Sequence, residues 1–85
     1  MRIRYTSRFG REAKKISHHL HPVIEEQIDI FRSDPFDSKL KTHKLSGGLK
    51  GFWSFSIDHR YRILFEFIEK EVVLFHSIGD HSIYD

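Results

Sequence analysis

Four polar residues in the second half of the chain have the side chains that phosphate chemistry uses. Arg62 follows Ser56 after a short turn, and His81 and Tyr84 stand in the closing stretch SIGDHSIYD at residues 77–85. An arginine can neutralise a phosphate as it becomes five-coordinate, and a histidine can exchange a proton near neutral pH. The four residues therefore make a candidate site for phosphoryl transfer, provided that the strands around them bring them together.

The spacing of apolar residues predicts the elements that must position this site. It is close to the helical period in the first half of the chain and falls to two after Trp53. Pro22 suits the first turn of a helix, and Pro35 disfavours helical geometry just before it. The expected fold is α+β: a strand over residues 2–6, an antiparallel helix pair over 8–20 and 22–33 on one face of the sheet, a long basic loop over 35–51, and a three-stranded antiparallel meander over 53–57, 61–67 and 72–79.

The two turns of the predicted meander decide where Arg62 lies. If DHR and EKE are three-residue turns, Arg62 stands opposite Ser56 on one side and Ile78 on the other, on the face that the helices do not cover. His81 and Tyr84 then lie within a few residues of Arg62. A slip of one residue in either turn would move Arg62 to the other face.

Positive charge is segregated along the chain, although the net charge is only +2. The first fifteen residues hold six basic side chains against one acid, Glu12, and residues 39–50 hold four lysines. Segregation of this kind suits binding to a polyanion such as nucleic acid. The alternative is a solvated surface that keeps the protein soluble.

Other chemistries lack the residues that they need. The chain has no cysteine, which excludes a disulfide framework and fits a reducing compartment. HHLH at 18–21 has no supporting carboxylate or cysteine, so we predict no metal site, and SGGLKG at 46–51 is not placed as a phosphate-binding loop, so we expect no cofactor. No apolar run could span a bilayer and the first ten residues do not form a signal peptide, so we expect a soluble cytoplasmic protein with no membrane partner.

Three motifs, in this order of elements, resemble a known family. HKLSGGLKG at 43–51 has the form H-x-L-x-G-x-x-K-G, YRI at 61–63 begins the middle strand, and GDH at 79–81 has the form G-x-H shortly before an aromatic residue. Together they resemble the RelE/ParE superfamily of small toxins from bacterial type II toxin–antitoxin modules, and look closest to RelE and YafQ-like endoribonucleases. The resemblance covers nearly the whole of residues 1–85, which we interpret as a single toxin domain.

The resemblance implies a toxin that cleaves messenger RNA on the translating ribosome through attack of the ribose 2′-hydroxyl on the adjacent phosphate. It implies that Arg62 stabilises the transition state, that His81 is the general acid, that His43, ahead of His59, is the general base, and that Tyr84 orients a base or a phosphate. The implied partners are messenger RNA, ribosomal RNA and a cognate antitoxin, through which oligomers would form. The basic residues predicted to contact RNA are Lys41, Lys44, Lys50, Arg60, Arg11 and Lys14.

The chain also departs from the family. Trp53 and Phe55 stand where RelE has paired lysines, and Ser56 and Arg60 stand where YafQ-like members have a histidine and an aspartate. Two other readings therefore stay open: a binding toxin of the ParE type that grips DNA gyrase without chemistry, and an inert or purely antitoxin-binding member. The G-x-H ending and His43 favour the enzyme, because a binding module has no need of a histidine paired with a strand arginine.

Overall fold

The computed structural model describes residues 1–84, which form a mixed five-stranded sheet and two α-helices. The strand order is β1-β5-β4-β3-β2, with β1 and β5 parallel and the other pairs antiparallel. The predicted α+β architecture is confirmed. Neither helix in the described part of the chain is long and apolar enough to cross a membrane. The elements are β1 (Arg2–Tyr5), α1 (Ser7–Lys15), α2 (His21–Ser33), β2 (His43–Lys44), β3 (Trp53–Ser56), β4 (Arg62–Glu69) and β5 (Val72–Gly79), with short 3₁₀ turns at His18–Leu20, Ser38–Leu40, Gly47–Leu49 and His81–Tyr84.

The first helix is shorter than its apolar spacing predicts. The hydroxyl of Thr6 accepts a hydrogen bond from the backbone N–H of Phe9 at 3.0 Å and so caps the start of α1. α1 ends at Lys15 rather than at Leu20, because the backbone of Ile16 is extended and directs its side chain into the core.

The core between the helices and the sheet is built mainly from phenylalanines. Phe31 of α2 stacks on Phe55 of β3 at a ring-centroid distance of 4.7 Å, and it meets Phe65 and Phe75 edge-on at 5.0 and 5.4 Å. Phe9 of α1 contacts Phe75 at 5.6 Å, and all five side chains are buried. This packing fixes which side of each strand faces the helices, and the polar residues of β3 and β4 are therefore left on the opposite side.

The first turn of the meander has the predicted register, whereas the second does not. Ser56 pairs with Arg62, as predicted. The turn between β4 and β5 holds two residues instead of three, with Glu71 at a φ of 76°. An extra residue on β4, Ile68, restores the predicted register over Phe65–Phe67, and an extra residue on β5, His76, then shifts it again. Arg62 therefore pairs with Gly79 rather than with Ile78, but it stays on the face that the helices leave open.

The sequence predicts a loop over residues 35–51, but two of these residues form a strand. β2 adds an edge strand in which His43 pairs with Ser54 and Lys44 pairs with Trp53. Directly paired residues share a face of a sheet. His43 is therefore placed by backbone pairing on the same side as Ser54.

Candidate active site

The face of the sheet that points away from the helices carries the predicted catalytic arginine and loop histidine. Ser54 and Ser56 alternate with the buried Phe55, so both point away from the core. Ser56 pairs with Arg62 and Ser54 pairs with His43. We call this side the open face and define it by His43, Ser54, Ser56 and Arg62.

The C-terminal turn, residues 80–84, crosses the open face. Ile83 is buried, and a Cβ built on Gly79 would lie only 2.6 Å from its Cγ2. The hydroxyl of Tyr84 lies 2.5 Å from Oγ of Ser54. Because Gly79 is on β5 and Ser54 is on β3, the turn passes over the intervening strand β4. The sheet thus holds Tyr84 in place.

Arg62 has an unsatisfied donor at this crossing. Its Nη1 atom is buried and has no hydrogen-bond partner among residues 1–84. A guanidinium N–H that is removed from water without an acceptor is destabilising, and buried polar groups in folded proteins are nearly always paired. Arginine recognises phosphate through charge-assisted hydrogen bonds, so a phosphate oxygen that displaced the atoms covering Nη1 would satisfy this donor.

His81 is the first residue of the 3₁₀ helix in the C-terminal turn, and it is exposed. Its ring centroid lies 5.9 Å from that of Tyr84. Hydrogen bonds from the hydroxyl and the backbone N–H of Ser82 lower the pKa of Asp80, and the positive charges of Arg60 and His81 act in the same direction. An ionised Asp80 therefore fixes the start of the turn beside His81.

The turn between β3 and β4 is held by Asp58. Its Oδ1 atom accepts hydrogen bonds from the backbone N–H groups of Tyr61 at 2.7 Å and Arg60 at 2.9 Å. Partial burial opposes the ionised form, yet these hydrogen bonds and the charges of His59 and Arg60 lower the pKa of Asp58. The ionised carboxylate stabilises the turn that sets the register of β4 on β3.

His43 is exposed on β2, with a defined tautomer. Its Nδ1 atom lies 3.0 Å from the carbonyl oxygen of Lys41. A carbonyl oxygen can only accept, so Nδ1 carries the proton and Nε2 of the neutral ring is left as an acceptor. That arrangement suits a general base. His59, the other predicted candidate, is exposed in the β3–β4 turn.

Three of the lysines predicted to contact RNA lie in or near β2, and Lys44 pairs with Trp53 and so lies on the helix side of the sheet. Lys41, Lys44 and Lys50 are all exposed, and Nζ of Lys44 stands 5.4 Å from the ring centroid of Trp53. Lys44, Lys50 and Trp53 help to line a cavity of about 580 Å³. These lysines therefore lie at the edge of the sheet that carries His43.

The remaining basic residues predicted to contact RNA separate into two places. Arg60 is exposed and close enough to Asp80 to influence its ionisation, so it lies beside the C-terminal turn. Arg11 and Lys14 are exposed on α1, on the helix side of the sheet, and are not brought to the open face. Lys15, which the sequence did not single out, lines a cavity of about 310 Å³ with residues of the C-terminal turn.

The side chains of β3 are sorted by the alternation of the strand. Trp53 and Phe55, which replace the paired lysines of RelE, lie on the helix side, Phe55 buried and Trp53 packed against the core. The polar residues that β3 contributes to the open face are Ser54 and Ser56. These β3 residues are neutral, and the positive charge on the open face comes from Arg62.

A second polar cluster on the open face was not predicted. His76 of β5 and Glu66 of β4 share a hydrogen bond between Nε2 and Oε1 at 2.9 Å. The ring of Phe52 lies against His76 at a centroid distance of 4.9 Å. The sequence signal for this cluster is weak, because Glu66 and His76 are ten residues apart and meet only through strand pairing.

Histidines elsewhere do not assemble into a metal site. His18 lies in the turn between the helices and His21 is the first residue of α2, and their ring centroids are 5.0 Å apart. Across residues 1–84, no three side chains of the His, Cys, Asp or Glu type are grouped so that they could hold a metal ion.

Solved structures similar to this chain include bacterial toxins, and the chain has the RelE/ParE-type fold of these structures. It is similar to YafQ from E. coli strain BL21(DE3), with a TM-score of 0.78 and 17% identity over 99% of this chain and 98% of that chain. It is also similar to a YoeB/ParE toxin from Agrobacterium tumefaciens, with a TM-score of 0.78 and 18% identity over 95% and 99% of the two chains. A chain of the E. coli DinJ-YafQ toxin–antitoxin complex matches with a TM-score of 0.68 and 17% identity over 95% and 92%. No protein-family model matches the chain, and no curated protein does.

Proposed function

We propose that this protein is the toxin of a type II toxin–antitoxin system and cleaves messenger RNA on the ribosome. The observation that carries the proposal is the buried Nη1 of Arg62, which has no hydrogen-bond partner within residues 1–84, on an open face that also presents the acceptor Nε2 of His43. A site that only bound an antitoxin would have no reason to bury a guanidinium N–H without a partner. The fold shared with YafQ and YoeB/ParE toxins supports the same reading.

The proposed reaction is transesterification within the RNA. Nε2 of His43 accepts the proton of a ribose 2′-hydroxyl, whose oxygen attacks the adjacent phosphorus. The bond from phosphorus to the 5′-oxygen breaks, and His81 donates a proton to that leaving oxygen. The products are a 2′,3′-cyclic phosphate and a 5′-hydroxyl.

Arg62 and Tyr84 have supporting roles in this proposal. Arg62 neutralises the charge that develops on the phosphate oxygens, and electrostatic groups of this kind contribute about 10²–10³-fold to a rate. Each histidine contributes about 10²–10⁴-fold as a general acid or base. Tyr84 keeps the C-terminal turn on the sheet through Ser54 and so sets the position of His81.

The decisive experiment adds the purified protein to a reconstituted translation reaction, with and without ribosomes, and maps cuts in the message by primer extension. Arg62→Ala and His81→Ala should each reduce cutting at least about 10²-fold while both variants stay folded. Arg32→Ala and His19→Ala are the matched controls, since Arg32 pairs with Asp29 on α2 and His19 lies in the turn between the helices. Both controls should cut like the unchanged protein.

Two results would contradict the proposal. Growth inhibition that survives both Arg62→Ala and His81→Ala would show that the site is not catalytic. Intact messages together with gyrase-linked DNA breaks would support the ParE-type alternative instead.

The proposed role implies an antitoxin, as in the DinJ-YafQ toxin–antitoxin complex. The helix side of the sheet has an aromatic cluster of Phe36, Trp53 and Phe67, with ring centroids 5.4 to 6.0 Å apart, in which Phe36 and Phe67 are exposed. Phe36 is 57% exposed. Grouped exposed aromatics are typical of protein-binding surfaces, so this cluster supports a protein partner on the side opposite the catalytic residues.

A further inference from the structure

Glu66, His76 and Phe52 form a cluster on the open face that the proposed reaction does not use. The Nε2 of His76 and the Oε1 of Glu66 are 2.9 Å apart, and the two side chains are 26% and 36% exposed. The ring of Phe52 meets the imidazole nearly at right angles, at 80°. We call this set the Glu66–His76 cluster.

A β-bulge aims His76 at the open face. Phe65 pairs with Phe75 and Leu64 pairs with Ser77, so β5 has one extra residue, His76, at this point. Bulges redirect side chains and are frequent beside functional sites. The half-exposed position of His76 is therefore built into the strand pairing and is not a rotamer of a loose side chain.

The cluster offers hydrogen-bond acceptors beside an aromatic ring. A carboxylate only accepts, so Nε2 of His76 donates to Glu66 and Nδ1 of the neutral ring is an acceptor. The second carboxylate oxygen of Glu66 has no partner among residues 1–84 and belongs to a half-exposed side chain. Proteins read single-stranded RNA with such a combination, an aromatic ring that contacts the base and polar groups that meet its edge.

The cluster is about one to two nucleotides away from the proposed cleavage point. Arg62 and Glu66 are four residues apart on β4, which separates their α-carbons by about 13 Å. Ser54, with Tyr84 bound to it, pairs with Leu64 and so lies between them. Because the C-terminal turn crosses β4 at this point, an RNA strand with one phosphate at Arg62 would pass over Tyr84 to bring the base of a neighbouring nucleotide to the Glu66–His76 cluster.

We propose that the Glu66–His76 cluster binds the base of this neighbouring nucleotide and favours cytosine over uracil. The amino group on C4 of cytosine can donate to the free carboxylate oxygen of Glu66, whereas uracil places a carbonyl oxygen there. Phe52 contributes contact with either base. The position next to the cut rests on the proposed function, but binding of the base does not.

The plain alternative is a cross-strand pair that only stabilises the sheet. Such a pair would be indifferent to the identity of a base. Glu66→Gln separates the two explanations. Its amide oxygen accepts from Nε2 of His76, so the amide NH2 faces the base, where it can donate to the uracil carbonyl but cannot accept from the cytosine amine. Glu69→Gln is the matched control, since Glu69 is an exposed glutamate at the end of the same strand.

The test measures binding of short fluorescein-labelled 2′-O-methyl RNAs, containing only cytosine or only uracil, by fluorescence anisotropy. These RNAs cannot be cut, because their 2′-hydroxyls are blocked. The unchanged protein and Glu69→Gln should bind the cytosine RNA about tenfold more tightly than the uracil RNA, and Glu66→Gln should bring this ratio to one or below. Phe52→Leu should weaken the binding of both RNAs by the same factor, about tenfold.

A second arm maps the cuts that the unchanged protein and Glu66→Gln make in a message. A cytosine bias at one position beside the cut should disappear in Glu66→Gln. Equal binding of the two RNAs by the unchanged protein, a ratio that Glu66→Gln leaves unchanged, or no RNA binding at all would overturn the inference. Preferential cytosine binding without any cutting would overturn the proposed function and leave the base-binding cluster standing.

Discussion

The hydrogen bond between Tyr84 and Ser54 is the contact by which the sheet holds the C-terminal turn, and Tyr84→Phe removes it. Ser54 is 0% exposed, so its hydroxyl depends on this partner. A hydrogen bond of this kind contributes about 1 kcal/mol net, and a buried hydroxyl left without a partner costs about 1–3 kcal/mol. Because Tyr84 is only half-buried, water can partly replace it. We therefore expect a loss of about 1–2 kcal/mol.

Urea unfolding, followed by tryptophan fluorescence of Trp53, measures this loss. A chain of this size has an m-value of about 1–1.5 kcal/mol/M, so the midpoint should fall by about 1 M with the slope unchanged. Heating provides a second measure, with a midpoint lower by about 4–8 °C for each kcal/mol. Cutting should also weaken, because His81 is carried by the same turn.

A double-mutant cycle tests the reasoning behind this number. Ser54→Ala removes the other partner, and the pair Tyr84→Phe with Ser54→Ala should cost little more than the worse single change. Strictly additive losses would show that the two hydroxyls do not stabilise each other. The structural account of the C-terminal turn would then be wrong.

Three further predictions concern the supports of the site. Gly79→Ala places a Cβ 2.6 Å from Cγ2 of Ile83, so it should destabilise the protein by about 1–3 kcal/mol in thermal melts. The same change made in an Ile83→Ala variant should cost much less, relative to Ile83→Ala alone, because the smaller side chain makes room. Glu12→Ala removes the acceptor for the Ser77 hydroxyl at 2.7 Å and the Ile78 N–H at 3.2 Å, and should cost about 2–3 kcal/mol in urea unfolding, whereas Arg8→Ala, which breaks only an exposed ion pair with Glu12, should cost less than about 1 kcal/mol. The pKa of Asp58 is lowered in the folded state, so its contribution to the free energy of unfolding is present above the ordinary carboxyl value of 3.8 and is lost as the pH falls below that value. Asp58→Asn should therefore reduce the loss of stability at acid pH, measured by urea unfolding as a function of pH. An acid dependence that Asp58→Asn leaves unchanged would contradict this assignment.

Local patterns in the sequence were sufficient to predict the part of the site that depends on short-range structure, which is the pairing of Arg62 with Ser56. The alternation after Trp53 and the DHR turn predicted that Arg62 lies opposite Ser56, and the structure confirms the pairing. The order of elements also predicted the fold, because helix and strand periods are read over a few residues.

The errors arose where backbone conformation or long-range pairing decides the outcome. The β4–β5 turn is one residue shorter than predicted, because Glu71 adopts a positive φ, which is uncommon for a glutamate and cannot be predicted from its residue type. β2 is only two residues long, which is too short to show an alternation, so His43 was predicted in a loop and not on a strand.

The Glu66–His76 cluster could not be predicted from the sequence, because it depends on a bulge in β5. Strict alternation from Phe75 would bury Ser77 with the core and leave Ile78 on the open face. The structure buries Ile78 with Phe75 instead, and the extra residue that this requires is His76, which turns outward. At this bulge the buried hydroxyl of Ser77 and the backbone N–H of Ile78 need an acceptor outside the sheet. Both donate to Glu12 of α1, which lies 65 residues before Ser77. The position of His76 is thus set by a helix on the other side of the sheet, a contact that no local pattern around His76 encodes.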